Sequence, residues 1–259
     1  MSPDAGRSGF RSRRLFLTGL AGSAVGIHGV VRADTPRSSA LNIVVTGGHP
    51  GDPEYGCGGT VARYTKQGHR VTLLYLNRGE DPHEGGDACS AAIAANRVTP
   101  RVHEAMSACR ILGANPVFSP QCNGASIVDN AHYEAFSELL ATLRPDVIFT
   151  QWPIDNHPDH RATFTLTLEA WSRLGRKAAF YFYEVSDGLD TLMFTPTDYV
   201  DITEAEPLKR SACYAHASQQ PDLFYALQSR VSEFRGTESG SRHAEAYVRH
   251  VGSPPGLLP

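Results

Sequence analysis

The sequence predicts a single α/β domain: a Rossmann-like, mostly parallel sheet with helices on both faces. Two observations lead there. From residue 41 onward, short apolar runs such as LNIVVTGG, RVTLLYL and DVIFTQW alternate with segments whose apolar residues keep helical spacing. Strands alternating with helices of that length imply parallel pairing through helical crossovers. No internal repeat or second-domain boundary interrupts the alternation.

The elements follow in order. LNIVVTGG (41–48) reads as a buried strand ending in a turn, GCGGTVARYTKQGH (56–69) as a helix stopped at Gly68, and RVTLLYL (70–76) as a second strand. From Thr99 to Leu112, Val102, Ala105, Met106, Cys109 and Leu112 fall on helical spacing. NPVFSP (115–120) is a short strand, AHYEAFSELLATLR (131–144) a helix and DVIFTQW (146–152) another buried strand. A helix from about Asp159 to Leu174 precedes the strand AAFYFYEV (178–185). TDYVDI (197–202) reads as a late edge strand. AEPLKRSACYAHAS (205–218) and LFYALQSRVSEFR (223–235) read as the last helices, and GSPPGLLP (252–259) as irregular. The polar, glycine-containing stretch 77–96 reads as a functional loop over the sheet's edge.

The chain has 259 residues, 41% of them apolar, and a net charge of −3. That supports one sizeable domain and gives no charge run suited to nucleic acid or an anionic surface. SRRLFLT places Arg13 and Arg14 before a Gly- and Ala-rich apolar run that contains His28 and ends in VRA. This pattern resembles a twin-arginine export signal over residues 1–33, leaving a domain of residues 34–259. The run is too weakly apolar for a membrane span, so no stable membrane insertion is expected. The expected location is periplasmic or extracellular. Five cysteines make an odd count. Cys57 sits in the glycine-rich turn, Cys109 on the apolar side of its helix, and Cys89 with Cys122 stays open as a bridge. No C-x-x-C pair argues for structural zinc.

Ligands in such sheets bind beyond the carboxyl ends of the strands, where strand order reverses. His49 and Asp52 directly follow the first strand. Asp155, His157, Asp159 and His160, in DNHPDHRAT, follow DVIFTQW. In the common doubly wound order the first and fourth strands flank the reversal, so both clusters would meet across one crevice. His49, Asp52 and His160 then form a two-histidine, one-carboxylate set with an open fourth position, the form of a catalytic zinc site. Another divalent transition metal, iron or manganese, suits the same donors. The G-x-G-x-x-G spacing of a dinucleotide loop is absent after the first strand.

These residues resemble a known family. GGHPGDPEYGCGGTVARY, LNRGE, RPDVIFTQWPIDNHPDHRAT and YVDIT…AHASQ look like the PIG-L/LmbE-like superfamily of zinc-dependent N-acetylglucosamine deacetylases, over about residues 41–250. The resemblance implies metal ligation by His49, Asp52 and His160. It places His157 beside the tetrahedral intermediate and makes Asp159 a supporting carboxylate. Arg78, Glu80, Arg101 and Glu104 resemble positions near the sugar, and His216 a recurrent late position. The implied reaction is water activated by zinc attacking the amide of an N-acetyl amino sugar or its conjugate. The implied partner is a small-molecule or glycan substrate.

The family pattern begins H-P-D-D, with the first aspartate as general base, and here that position is Gly51. Asp155 is the first candidate to replace it, Glu54 the second and Asp159 the third. An Asx turn or helix cap at Asp155 and a helix-terminal charge at Glu54 are the structural readings of the same residues. Loss of the base makes a catalytically impaired, metal-dependent carbohydrate-binding protein the alternative. A related hydrolase of another amide or an ester is a third reading.

Overall fold

The computed structural model describes residues 40–80, 91, 95, 98–185, 190–256 and 258–259. The expected export signal and most of loop 77–96 lie outside these described residues. In chain order the strands are β1 (Asn42–Gly47), β2 (Arg70–Asn77), β3 (Asn115–Gln121), β4 (Val147–Gln151), β5 (Ala179–Tyr183), β6 (Asp198–Asp201) and β7 (Ala244–Arg249). The helices are α1 (Asp52–Lys66), α2 (Pro100–Leu112), α3 (Asn130–Leu143), α4 (Pro158–Arg173), α5 (Glu206–Tyr214) and α6 (Pro221–Ser239). The strands form one sheet in the order β3-β2-β1-β4-β5-β7-β6. β1 to β5 are parallel, while β7 runs antiparallel to both β5 and β6. The α/β class and its mostly parallel sheet are as the sequence predicts.

Alternate residues of the central strands serve two cores. Ile43, Val45, Leu73, Tyr75, Val147 and Phe149 pack with Val61 and Tyr64 of α1 and Ala105 and Cys109 of α2. Val44, Leu74, Ile148 and Phe180 pack with Leu140 of α3 and Leu166 and Trp171 of α4. Burial on both faces is why these strands are almost continuously apolar. Each large side chain removed from water contributes about 1.5–3 kcal/mol.

Three sequence expectations are corrected by the structure. The first helix starts at Asp52, with Pro53 in its first turn, rather than at Gly56. The glycines of GCGG are thus helical and serve close packing, not a turn. A Cβ on Gly56 would lie 2.3 Å from the Tyr183 ring, and one on Gly59 2.6 Å from Ile202. Second, β7 is a strand that the sequence reading lacks. Its run AEAYVR carries Glu245, buried because Lys209 Nζ meets its Oε1 at 2.6 Å and the N–H groups of Gly59 and Thr60 donate to the same carboxylate. With that strand in place, β6 lies at the sheet edge as expected. The helix predicted for 205–218 ends at Tyr214, and a 3-10 turn, Ala217–Gln219, follows His216.

Cys57, Cys109 and Cys213 are free and buried. Cys122 is disulfide-bonded, and Cys89 lies outside the described residues. Among the described residues, no helix is long and apolar enough to cross a membrane.

Candidate active site

β1 and β4 are hydrogen-bonded neighbours, so the segments leaving their carboxyl ends share one crevice. Gln151, the last residue of β4, ties the two together. Its Oε1 accepts the Gly48 N–H at 2.9 Å, and its Nε2 donates to Asp52 Oδ2 at 3.0 Å. Sequence reasoning missed Gln151, because one amide at a strand end carries no motif.

Asp52 Oδ2 is the meeting point of the cluster. His49 Nδ1 and His160 Nε2 each lie 3.2 Å from it, and the His49 N–H donates to it at 2.8 Å. The far nitrogen of each ring faces a second carboxylate. His49 Nε2 lies 3.1 Å from Asp159 Oδ2, and His160 Nδ1 lies 3.1 Å from Asp155 Oδ1. Two imidazole nitrogens therefore converge on one carboxylate oxygen, each ring oriented from behind by an acid, which is how metal-ligating histidines are held. Ring nitrogens of His49, His157 and His160 also gather within 4.8 Å of one another. The buried carboxylates of Asp155 and Asp159 and the part-buried one of Asp52 leave negative charge around these imidazoles that a divalent cation would balance, so the donor set fits a metal.

The charge states follow from these contacts. Burial pushes the Asp52 carboxyl up, but the facing His160 and His49 rings outweigh it and hold it well below the usual carboxylate range. Burial pushes His160 down, yet Asp52 and Asp155 raise it to about 10. His49 also rises, because Asp52 and Asp159 together outweigh burial. For Asp159, the His49 contact and the Gly124 N–H overcome burial and lower the carboxyl to about 2. His157 moves the other way, lowered by burial and then by the neighbouring His49 and His160 rings.

Helix α4 sets the positions of His157, Asp159 and His160. Pro158 opens it, and His157 caps it by accepting the Asp159 N–H at Nδ1. That bond leaves the proton of a neutral His157 ring on Nε2. Asp155 makes the expected Asx-type contact, accepting the His157 N–H at 2.8 Å. Its other oxygen accepts from Thr191 Oγ1 at 3.2 Å, and its side chain is fully buried. Asp159 additionally accepts from Asn77 Nδ2 at 3.3 Å and from the Gly124 N–H at 2.7 Å.

The residues that the resemblance puts near a sugar are less uniform. Arg101 Nη2 donates to the Pro50 carbonyl at 2.9 Å and lines a cavity of about 170 Å³ together with Gly51 and Asp52. Glu80 is buried and accepts the Arg78 N–H at 3.3 Å, while the Arg78 guanidinium lies over the Phe118 ring. Glu104 accepts from both N–H and Oγ of Ser218, so it is no ion-pair partner held for Arg101 alone. A roomier cavity, about 520 Å³ and lined by Leu41, Asp146 and Trp171, contains none of these residues.

Glu54 and His216 form a contact that no motif signalled. Glu54 is fully buried, accepts the Gly51 N–H at Oε2, and meets both Tyr75 Oη at 2.7 Å and His216 Nε2 at 3.0 Å through Oε1.

The comparisons with known proteins agree with this geometry. The family model PIG-L, GlcNAc-PI de-N-acetylase, matches residues 44–171. The chain is 26% identical over 246 residues to a diacetylchitobiose deacetylase of Thermococcus kodakarensis, covering 88% of each chain. It is 29% identical over 197 residues to a 1D-myo-inositol 2-acetamido-2-deoxy-alpha-D-glucopyranoside deacetylase of Rhodococcus erythropolis, covering 67% of this chain and 65% of that one. A conserved protein from Thermus thermophilus superposes with a TM-score of 0.67 at 28% identity, over 85% of this chain and 97% of the other. With its strand-end histidine clusters, its sheet order and these relatives, the chain belongs to the PIG-L/LmbE-like superfamily of N-acetylglucosaminyl deacetylases.

Proposed function

We propose that this protein is an exported, zinc-dependent hydrolase that removes acetyl from an N-acetylated amino sugar or its conjugate. The observation that carries the reading is the convergence of His49 Nδ1 and His160 Nε2 on Asp52 Oδ2, in a chain whose relatives are named deacetylases. His49, Asp52 and His160 would hold the metal. When bound, zinc supplies Lewis acidity toward an amide carbonyl and lowers the pKa of a water to about 7.

The chain's own residues do the remaining work. Asp155 and Asp159 orient the His160 and His49 rings from behind. In this reading Asp155 is a positioning residue, because both its oxygens are engaged away from any substrate. His157 donates from Nε2 to the carbonyl oxygen as negative charge develops there, the role of an oxyanion-hole donor. Arg101, at the wall of the adjoining cavity, contacts the sugar, and the resemblance adds Arg78 and Glu80, which do not line that cavity. Export by the twin-arginine route belongs to the same proposal, and the disulfide at Cys122 suits an oxidising compartment.

The test is acetate release by the zinc-loaded full-length protein across a panel of N-acetyl glycosides and conjugates. Release supports the reading, and a zinc-bound protein silent across the panel overturns it. A second reading rests on Gly51, which places no side chain where the family pattern has its base. A metal-dependent carbohydrate-binding protein would bind N-acetyl sugars in the same experiment without turnover.

A further inference from the structure

Gly51 lacks a side chain, so the question is which group occupies the space that one would reach. A Cβ built on Gly51 would meet the Tyr55 ring at 3.7 Å and Cγ of His216 at 4.0 Å. The His216 ring therefore lies within the reach of the missing aspartate. It is fully buried and held at Nε2 by Glu54 Oε1, 3.0 Å away.

Glu54 fixes the tautomer of that ring. Its carboxylate already accepts the Gly51 N–H and the Tyr75 O–H. A carboxylate has only acceptors to offer, so a neutral His216 ring donates to it from Nε2–H and keeps a lone pair on Nδ1. That Nδ1 atom is buried with no hydrogen-bond partner. His216 lines the same cavity of about 170 Å³ as Gly51, Asp52 and Arg101. Tyr55 Oη and Arg101 Nε, from two further residues of that wall, are also buried and unpartnered. Three unsatisfied polar atoms around one cavity beside a metal-ligand carboxylate mark a site built for a polar occupant.

The carboxylates considered for the base lack this freedom. Asp155 has both oxygens engaged, Asp159 receives three donors at one oxygen, and Glu54 is committed to His216, Tyr75 and Gly51.

We infer that His216, held by Glu54, is the general base that replaces the absent aspartate at position 51. The inference rests on the deacetylase reading. Nδ1 takes a proton from the attacking water as its oxygen bonds to the amide carbon. The C–N bond then breaks, and the same proton passes to the departing nitrogen, giving the amine and acetic acid, which ionises to acetate by losing the water's second proton. Glu54 acts through His216 as a positioning residue, the carboxylate–histidine logic of a catalytic triad. The base comes from a segment distant from the proposed metal donors, so the family pattern can lose its aspartate without leaving the reaction unassisted.

The test uses the full-length, zinc-loaded protein and its His216→Ala and His216→Gln variants, with Glu54→Gln beside them. The expected result is a fall in kcat of about 100- to 10,000-fold for both His216 variants. KM and zinc affinity by chelator competition stay unchanged. Added imidazole restores kcat of His216→Ala in a saturable way, which a structural role would not produce. Independently of turnover, nitrogen-15 spectra of the metal-free wild type show His216 as the Nε2–H tautomer with bare Nδ1. Spectra showing a proton on Nδ1 overturn the inference even if every variant fails to fold. An active wild type whose folded His216→Ala variant keeps its kcat, or loses zinc instead, also overturns it. A wild type that binds zinc yet releases no acetate defeats the deacetylase reading first, whatever the spectra show.

Discussion

Asp52 Oδ2 stands 3.2 Å from His160 Nε2, joining the start of α1 to the first turn of α4 across the crevice between β1 and β4. Asp52 and Asp155 flank the His160 ring on opposite nitrogens, and together they raise its pKa to about 10 in the metal-free protein.

A metal-ligating histidine must be neutral, so metal binding in the proposed site has to displace the His160 proton at pH 7. The expected outcome is release of at least one proton on zinc binding, with apparent affinity rising about tenfold per pH unit below pH 10 for each proton released. Isothermal titration in two buffers of different ionisation enthalpy measures it. Enthalpies independent of buffer would contradict the His160 charge state.

The same shift sets the pH response of the chelated protein. The folded pKa of His160 lies above its ordinary value of 6.5, so its stabilising contribution is complete below about 6.5 and disappears as pH rises through about 10. Asp159 behaves oppositely. Its carboxyl, lowered to about 2, contributes above 3.8 and ceases to contribute as pH falls through about 2. Thermal unfolding of chelated protein should show a Tm that declines between pH 7 and 10. His160→Gln should flatten that decline, and an unchanged decline would remove His160 as its source.

Asp155→Asn separates a positioning role from a direct proton-transfer role. Loss of a carboxylate behind a ligating histidine weakens metal binding by about 10- to 100-fold. Saturating zinc should then recover most of the turnover. Turnover still absent with zinc bound would return Asp155 to the role of base.

Gly56→Ala should destabilise the fold, although alanine at an ordinary helix position gains about 1 kcal/mol over glycine. The added carbon would sit 2.3 Å from Tyr183 Cδ2, and Tyr183 is anchored through its hydroxyl to the Thr46 carbonyl at 2.8 Å. Overpacking of this kind costs about 1–3 kcal/mol. Urea titration checks the sign, and a stabilised variant would refute the close-packing account.

Lys209→Met removes the buried partner of Glu245, both side chains being 1% exposed. Leaving a buried carboxylate uncompensated costs about 3–5 kcal/mol. The double variant Lys209→Met/Glu245→Gln should recover part of that loss, because glutamine removes the charge and still accepts from the Gly59 or Thr60 N–H. Equal losses in the single and double variants would show that charge is not the cause.

Much of this molecule is legible along the chain. The apolar runs of β1, β2, β4 and β5 and the helical spacing of α2 and α4 announce a two-faced sheet, because burial imposes the same residue pattern wherever it occurs. His49 and Asp52 after one strand, and His157 and His160 after another, mark the site in advance, since strand ends at a reversal of order are where side chains converge. What the chain does not display is pairing between distant polar groups. β7 is a strand through its pairing with β5 and β6, and its Glu245 is buried there because it finds Lys209, Gly59 and Thr60. The role of Asp155 depends on His160 and Thr191 around it. His216 appears as a lone histidine until Glu54 and the empty side-chain position at Gly51 are seen beside it. Apolar burial follows from what a residue is and how often it repeats, so sequence alone determines the fold class and the two strand ends that carry the candidate donors. The work of a buried polar group depends on which partner reaches it within about 3 Å, and only the tertiary structure decides that.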